Sequence, residues 1–164
     1  MQGEPSPLDP RDFRRACGQF ATGVAVASVI GPDGAPHGLT INSFTSVSLS
    51  PPLILICLGH DSAILDLFRP QALFGLSFLR AEQRDLSHQF ATRGHDRFHG
   101  VNWHTGASGV PLLDDSLAGM ECAIEQSVTA GDHDILIARV THAAIHGGHP
   151  LLYFNSAYAA LRES

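Results

Sequence analysis

Segment 38–57, GLTINSFTSVSLSPPLILIC, sets a dense group of small polar side chains directly before an apolar run. Hydroxyl and amide groups, including those of Thr40, Asn42 and Ser43, precede the apolar residues 53–57. Together with backbone N–H and C=O groups, they can hydrogen-bond the polar edge of a flat ligand without filling the space that a ring needs. Composition alone favours a solvated loop rich in turn-forming residues.

Two shorter patterns could also carry chemistry. Cys57-Leu58-Gly59 ends the apolar run, and Ser62-Ala63 is predicted to begin a helix. Backbone amides and the helix dipole at such a point suit an anion such as a phosphate, although Ser62 could be a simple N-cap. Gly131-Asp132-His133 lies between two Val/Ile-rich stretches. Taken alone, this tripeptide is typical of a β-turn with an exposed histidine.

Several other kinds of site are not expected. The ten histidines include His142, His146 and His149 at helix-like spacing, but His142 lies in a strand-like run and no paired carboxylates or cysteines complete a metal-ligand set. The sequence has no GxSxG, GxGxxG or GxxxxGK[ST] motif. All ten cationic residues are arginine, which excludes a Schiff-base lysine, and the net charge of −6 argues against nucleic-acid binding.

Elements that could position these groups follow from periodicity and turn signals. Helices are predicted at 11–20, capped by Asp9 or Asp12, at 63–69 and at 81–92. Strands are predicted at 24–30, from 36 into 40–43, and at 53–58, 72–79, 117–130, 134–146 and 151–154, with 93–109 as a loop. Many hairpins without βα alternation predict a closed antiparallel barrel with two or three short peripheral helices.

The length of 164 residues predicts one domain at 11–164, after a disordered lead at 1–10. No apolar run is long enough to span a membrane, and the N-terminus lacks the pattern of a signal peptide. We therefore expect a cytoplasmic protein in which Cys17, Cys57 and Cys122 are buried, reduced thiols.

The chain resembles the short-chain flavin reductases, the reductase components of two-component flavin-dependent monooxygenases. The resemblance extends from about residue 13 to residue 161. It is carried in order by FRRACGQFATGVAV, GLTINSFTSVSLSPPLILIC, AEQRDLSHQFA, DRFHGVNW, SLAGMECAIE, GDHDILIARV and PLLYFNSAYAAL. It implies a mainly β, FMN-binding split β-barrel, antiparallel and Greek-key-like, that forms a homodimer with flavin near the subunit interface.

By the same resemblance, the site residues fall into two groups. The flavin, FMN or FAD, is expected to contact Gly38, Leu39, Thr40, Ile41, Asn42, Ser43, Cys57, Leu58, Gly59, Ser62, Ala63, Gln89, Phe90 and Arg97, with Arg97 and the 62–63 segment near the phosphate. NADH or NADPH is expected to contact His133, Tyr153, Phe154 and Tyr158. Phe90 could instead be a core residue, and Arg97 a surface arginine.

The chain departs from many relatives at two places. His60 stands where they carry a basic residue, which could weaken phosphate contacts at neutral pH. Asn155-Ser156-Ala157 follows the aromatic pair where they carry an arginine, which puts that arginine's contact in doubt.

The resemblance implies an NAD(P)H:flavin oxidoreductase that supplies reduced flavin to a partner monooxygenase. No side-chain acid is required, because flavin accepts hydride directly at N5. NADH is favoured mildly over NADPH, since the sequence has no obvious arginine cluster that could bind the 2′-phosphate of NADPH. Two alternatives stay open: a barrel that holds its flavin permanently for electron transfer, and a non-enzymatic barrel that binds another ligand such as haem.

Overall fold

The computed structural model describes residues 8–69, 72–94 and 96–161. Helix α1 spans Pro10–Cys17 and helix α2 spans Arg84–Ala91, with short 3-10 helices at Leu65–Leu67 and Ala81–Gln83. Asp9 caps α1 by accepting a hydrogen bond from the Arg11 backbone N–H at 2.8 Å. Most of the predicted disordered lead, residues 1–7, lies outside the described residues.

Twelve strands make up the rest of the regular structure in the described residues. They are β1 (Thr22–Gly23), β2 (Ala25–Ile30), β3 (Pro36–Ile41), β4 (Thr45–Leu49), β5 (Pro52–Gly59), β6 (Leu73–Phe78), β7 (Trp103–Thr105), β8 (Pro111–Leu113), β9 (Ala118–Ala130), β10 (His133–Ile145), β11 (Leu152–Phe154) and β12 (Ala157–Ala159). All of their pairings are antiparallel.

The main sheet has seven strands in the order β3-β2-β6-β9-β10-β5-β4. Its two edge strands, β3 and β4, follow each other in the chain and are joined by residues 42–44 alone. Because three residues cannot bridge the width of a flat seven-stranded sheet, the sheet must curve round until its edges meet. The result is a barrel.

Side chains from six strands share the interior of this barrel. They form one cluster, whose fully buried members include Ala27, Ile56, Phe74, Leu136 and Ala138. A second cluster lies outside the barrel wall, where Val26 of β2 packs with Phe90 of α2 and with Leu113 and Leu151. Strand β2 is therefore buried on both faces, and α2 is fixed against it.

Two sequence predictions about elements are wrong. The helix predicted at 63–69 reduces to the 3-10 helix Leu65–Leu67, because Ile64, Leu65 and Leu67 all turn toward the barrel core. The predicted 93–109 loop contains β7. Strands β1, β4, β8 and β12 were not predicted.

The N-terminal helix is shorter than predicted and lies on the surface. The predicted apolar face of α1 is not buried, since Phe13 is 55% and Phe20 78% exposed. Cys17 is exposed as well, so the prediction of three buried thiols is wrong at this position. The reason is that α1 docks mainly through its C-terminal end, where the Asn155 N–H donates to the Gly18 carbonyl at 2.8 Å. No described helix is long and apolar enough to cross a membrane.

Candidate functional site

Two cavities follow one another along β3. The first, here called the Gly38 cleft, has a volume of about 510 Å³. It is lined by Ala35, Pro36, His37, Gly38, Ala63, Ile64, Gly94, Asp96, Arg97, Phe98 and Trp103. The second, the Tyr158 cleft, has a volume of about 240 Å³. It is lined by Val24, Thr40, Ile41, Asn42, Ser87, Ala91, Tyr153 and Tyr158.

Glycine is required at position 38 because Phe90 and the Ala27 carbonyl already occupy the space that a side chain would need. A Cβ atom at this position would lie 2.8 Å from Phe90 Cε1 and 3.1 Å from the Ala27 carbonyl oxygen. Phe90 is fully buried and packs edge-on against Phe98, with ring centroids 4.9 Å apart. Phe90 is therefore a core residue, the alternative that the sequence left open, because α2 turns its ring into the second core cluster, where it supports Gly38 from below; its contact with flavin stays a prediction.

Arg97 lies at the wall of the Gly38 cleft and is held by backbone carbonyls. Its Nε donates to the Thr92 carbonyl at 2.9 Å and its Nη1 to the Gly38 carbonyl at 2.7 Å. Burial, assisted by the charge of Arg93, lowers the pKa of Arg97 from its usual value. Among the described residues, no hydrogen bond uses its Nη2, so donors remain for an anionic ligand.

Gln89 hydrogen-bonds the loop that carries Arg97. Its Nε2 donates to the carbonyls of Arg97 at 2.9 Å and His99 at 3.0 Å. The side chain thus ties the end of α2 to the segment that carries Arg97, and it is not among the residues that line either cleft. In the structure its amide holds the segment of Arg97, and a contact of Gln89 with the ligand stays a prediction.

The turn that contains His133 lies against the end of β5. His133 pairs with Gly59 in the β5–β10 register, and a Cβ at Gly59 would lie 3.6 Å from His133 Nε2. The His133 Nδ1 lies 2.7 Å from Asp132 Oδ1, which lowers the pKa of Asp132. Gly131 has φ of 65°, the left-handed conformation that this tight turn needs. Neither cleft includes His133 in its lining.

His60, the first departure from relatives, holds this turn. Its backbone N–H donates to the Asp132 carbonyl at 2.9 Å, and its Nε2 lies 2.9 Å from Asp134 Oδ1. The pKa of Asp134 is lowered by the hydrogen bond with His60 and then by that from Thr129. His60 therefore holds this turn through both its backbone N–H and its ring.

Residues around Ser43 support the barrel rather than the clefts. Ser43 Oγ donates to the Cys57 carbonyl at 3.0 Å and accepts from the Cys57 N–H at 2.9 Å. Burial raises the pKa of the Cys57 thiol, which keeps it protonated. Leu58 is 1% exposed in the barrel core, and Leu39 packs against the same core. Leu58 can therefore contact a ligand only through its backbone, whereas Leu39, Ser43 and Cys57 are partly exposed.

The predicted helix N-terminus at Ser62 and Ala63 is absent. The 3-10 helix begins after Ile64 and has no side-chain cap. A single three-residue turn supplies neither the row of free N–H groups nor the dipole of an α-helix, so the helix predicted here is wrong, whereas a phosphate contact at Ser62 and Ala63 stays a prediction. Ala63 nevertheless lines the Gly38 cleft.

The aromatic residues near the C-terminus separate into two groups. Tyr153 and Tyr158 line the Tyr158 cleft, whereas Phe154 is 41% exposed and lines neither cleft. The second departure, Asn155-Ser156, forms the β11–β12 turn with φ values of 49° and 60°. This turn docks on α1, since the Asn155 N–H donates to the Gly18 carbonyl at 2.8 Å.

Sequence reasoning missed several residues that line the clefts, including Ser87, Ala91, Gly94, Asp96 and Trp103. Two of them, Ser87 and Ala91, could have been found from the helical spacing of residues in α2. Arg84, Ser87, His88 and Ala91 recur at i, i+3, i+4 and i+7, which places them on one face of α2.

The two clefts together suit an elongated ligand with a flat polar ring at one end and an anionic group at the other. The Tyr158 cleft offers aromatic rings, the Thr40 hydroxyl and the Asn42 amide. The Gly38 cleft offers a surface without a side chain and the remaining donors of Arg97. Among the described residues, no group of three His, Cys, Asp or Glu side chains could hold a metal ion.

Residues 17–162 match the family model described as "Flavin reductase like domain". The chain therefore belongs to the flavin reductase-like family, and the predicted family and split-barrel fold are confirmed.

Two relatives and one solved structure illustrate the similarity. A "Probable flavin reductase" of Rhizobium meliloti (strain 1021) is 42% identical over 151 residues, which are 92% of this chain and 49% of that protein. The chain thus spans about half of that relative. "Flavin-dependent monooxygenase, reductase subunit HsaB" of Rhodococcus jostii (strain RHA1) is 35% identical over 94% of this chain and 79% of the relative. The Streptomyces globisporus C-1027 NADH:FAD oxidoreductase, solved in complex with NAD and FAD fragments, has a TM-score of 0.87 and 37% identity, covering 96% of this chain and 98% of the other.

Proposed function

We propose that this protein is an NADH-dependent flavin reductase that acts on FMN or FAD and supplies reduced flavin to a partner monooxygenase. Family membership and the relatives named as NADH:FAD oxidoreductase and monooxygenase reductase subunit support this function. The observation that carries it within the molecule is the pair of clefts along β3, which fits a flat ring followed by a phosphate.

The flavin ring is assigned to the Tyr158 cleft and its phosphate to the Gly38 cleft. Thr40, Ile41 and Asn42 face the ring, while Gly38, Ala63 and Arg97 line the part that receives the ribityl chain and phosphate. The backbone at Leu39, Ser43, Cys57, Leu58, Gly59 and Ser62 completes the cradle in this proposal. When bound, the flavin supplies the chemistry by accepting hydride from NADH, and the chain's task is to stack the two rings.

NADH is assigned to the side of the site formed by Tyr153, Tyr158 and His133. Tyr153 and Tyr158 meet edge to face at 5.6 Å between centroids and form an aromatic wall on which a nicotinamide ring can pack. His133, oriented by Asp132, lies on the β9–β10 turn against Gly59, and we assign its Nε2 to the carboxamide or a phosphate of NADH. Phe154 is assigned to the entrance, since it is exposed.

We also infer a cytoplasmic homodimer. Large apolar side chains lie open to solvent in the single chain, with Leu49 at the end of edge strand β4 95% exposed and Ile145 88% exposed. A second copy would remove such side chains from water, which stabilises by roughly 25 cal/mol per Å² of apolar surface. Light scattering coupled to size exclusion would give twice the mass of the chain if this inference is correct, and the mass of one chain if it is not.

Steady-state kinetics test the proposed reaction. The purified protein is mixed with NADH or NADPH and with increasing FMN or FAD, and loss of NADH absorbance is followed. The proposal requires oxidation that depends on added flavin and saturates with it, with NADH the better donor. A protein that binds flavin yet oxidises neither nucleotide would instead be a flavin-holding electron carrier or a ligand-binding barrel.

A further inference from the structure

Ser87 of α2 lines the Tyr158 cleft between Thr40 of β3 and Tyr158 of β12. It is fully buried, yet its carbonyl and its hydroxyl both contact cleft residues. Its backbone carbonyl accepts a hydrogen bond from the Thr40 hydroxyl at 2.7 Å, and its own hydroxyl lies 2.8 Å from the Tyr158 hydroxyl. One residue thus contacts a ring-facing side chain of β3 and an aromatic side chain of β12.

The rest of the same helix face encloses Tyr158. The Arg84 guanidinium carbon lies 5.2 Å from the centre of the Tyr158 ring, and the His88 ring meets it edge to face at 4.9 Å. A tyrosine that is half buried in this way needs a partner for its hydroxyl, and Ser87 supplies it. Ring position and rotation are therefore set from α2.

The hydrogen bond from the Thr40 hydroxyl to the Ser87 carbonyl limits how Thr40 can bind a ligand. A threonine hydroxyl has one proton, and here that proton is donated to the Ser87 carbonyl. Toward the cleft Thr40 can therefore only accept a hydrogen bond. An N–H group of a flavin ring matches such an acceptor, whereas a ring carbonyl does not.

We propose that Ser87 is a positioning residue for both substrates, fixing Thr40 as an acceptor toward the flavin through its carbonyl and holding Tyr158 toward the nicotinamide through its hydroxyl. This rests on the proposed function. The two contacts use different groups of one residue, so they can be separated by mutation.

We expect Ser87→Ala to weaken binding of the nicotinamide nucleotide and Thr40→Val to weaken binding of flavin. Ser87→Ala removes the hydroxyl but keeps the carbonyl, so the KM for NADH and the dissociation constant for NAD⁺ should rise about fivefold, while the flavin dissociation constant stays within about twofold. Thr40→Val removes the acceptor and should weaken flavin binding about fivefold to tenfold. Both dissociation constants are measured by isothermal titration, independently of turnover.

Two further variants test whether the effect comes from the Ser87–Tyr158 hydrogen bond. Tyr158→Phe should match Ser87→Ala, and the double variant should be no worse than either single variant, because each removes the same bond. Ser77→Ala is the matched control: Ser77 is also fully buried, and its Oγ accepts from the Leu113 N–H at 3.0 Å away from the cleft. It should lower stability but leave the KM for NADH unchanged.

The inference is overturned if Ser87→Ala weakens flavin and NAD⁺ binding equally, if it changes neither, or if the Ser87 and Tyr158 effects multiply. Failure of the proposed function is seen separately, as a wild-type protein that does not oxidise NADH when flavin is added.

Discussion

Replacing Gly38 by alanine tests the packing that shapes the Gly38 cleft. The backbone of Gly38 lies outside the left-handed region, so alanine is conformationally allowed there. The added methyl group, however, would lie 2.8 Å from Phe90 Cε1 and 3.1 Å from the Ala27 carbonyl oxygen. Phe90 is 0% exposed and held by Phe98, so its ring has no free space to enter. Strand β3 must therefore move instead.

Forcing one extra methyl group into a packed core costs about 1–3 kcal/mol. For a chain of this size, that corresponds to a fall in Tm of about 2–12 °C. Movement of β3 would also disturb the 2.7 Å bond from Arg97 Nη1 to the Gly38 carbonyl, so FMN should bind more weakly. Urea denaturation at fixed protein concentration measures the first effect, and titration of FMN measures the second.

A control and a rescue make this prediction specific. Gly23 has no heavy atom within 4 Å of an added Cβ, so Gly23→Ala should be neutral or slightly stabilising. Removing ring atoms with Phe90→Leu should make Gly38→Ala less costly than it is in the wild-type background. Wild-type stability in Gly38→Ala, or strictly additive effects in the double variant, would refute the clash.

Three other perturbations have definite expected outcomes. Ser156→Gly should stabilise by about 1 kcal/mol in urea denaturation, because Ser156 holds φ of 60° and glycine adopts that conformation without strain; no gain would contradict this. Burial raises the pKa of Glu121, but hydrogen bonds from the Ser108 and Ala107 N–H groups outweigh it and lower the pKa overall. The resulting stabilisation is present above the unfolded pKa of about 4.3 and is lost as pH falls through the folded value, so Glu121→Gln should show a shallower loss of stability in acid than wild type. Burial raises the pKa of Cys122 to about 12, so iodoacetamide at mildly alkaline pH should label exposed Cys17 well before Cys122, as peptide mass spectrometry can establish.

The barrel was largely predictable because its signals are local. The turn at residues 31–34 and the turn at Gly131 lie between apolar stretches, and β2, β3, β5, β6, β9 and β10 fall close to their predicted positions. Strand β4 was not predicted, because its side chains, Val47 and Leu49 included, are mostly exposed and it is short and rich in serine and threonine.

The site was predictable to a smaller extent. Gly38, Thr40, Asn42, Arg97, Tyr153 and Tyr158 do line the clefts. The polar run before residues 53–57 indicated Thr40 and Asn42, whereas Gly38, Arg97, Tyr153 and Tyr158 were implied by family resemblance alone. Helical spacing places Ser87 on one face of α2 but could not single it out, because its contacts with Thr40 and Tyr158 join residues 47 and 71 positions apart. The helix at Ser62 was predicted from a cap and a terminating proline, and tertiary packing of Ile64 and Leu65 overrode that local preference.

The central claim is that the protein reduces flavin that exchanges with solution. Its most direct measurement is anaerobic: a small amount of protein is mixed with excess NADH and a large molar excess of FMN or FAD, and the visible absorbance of oxidised flavin is followed. The account predicts that many equivalents of flavin are reduced per chain, with an uncatalysed control that remains oxidised. Reduction that stops at one equivalent per chain, or that does not occur, would contradict it.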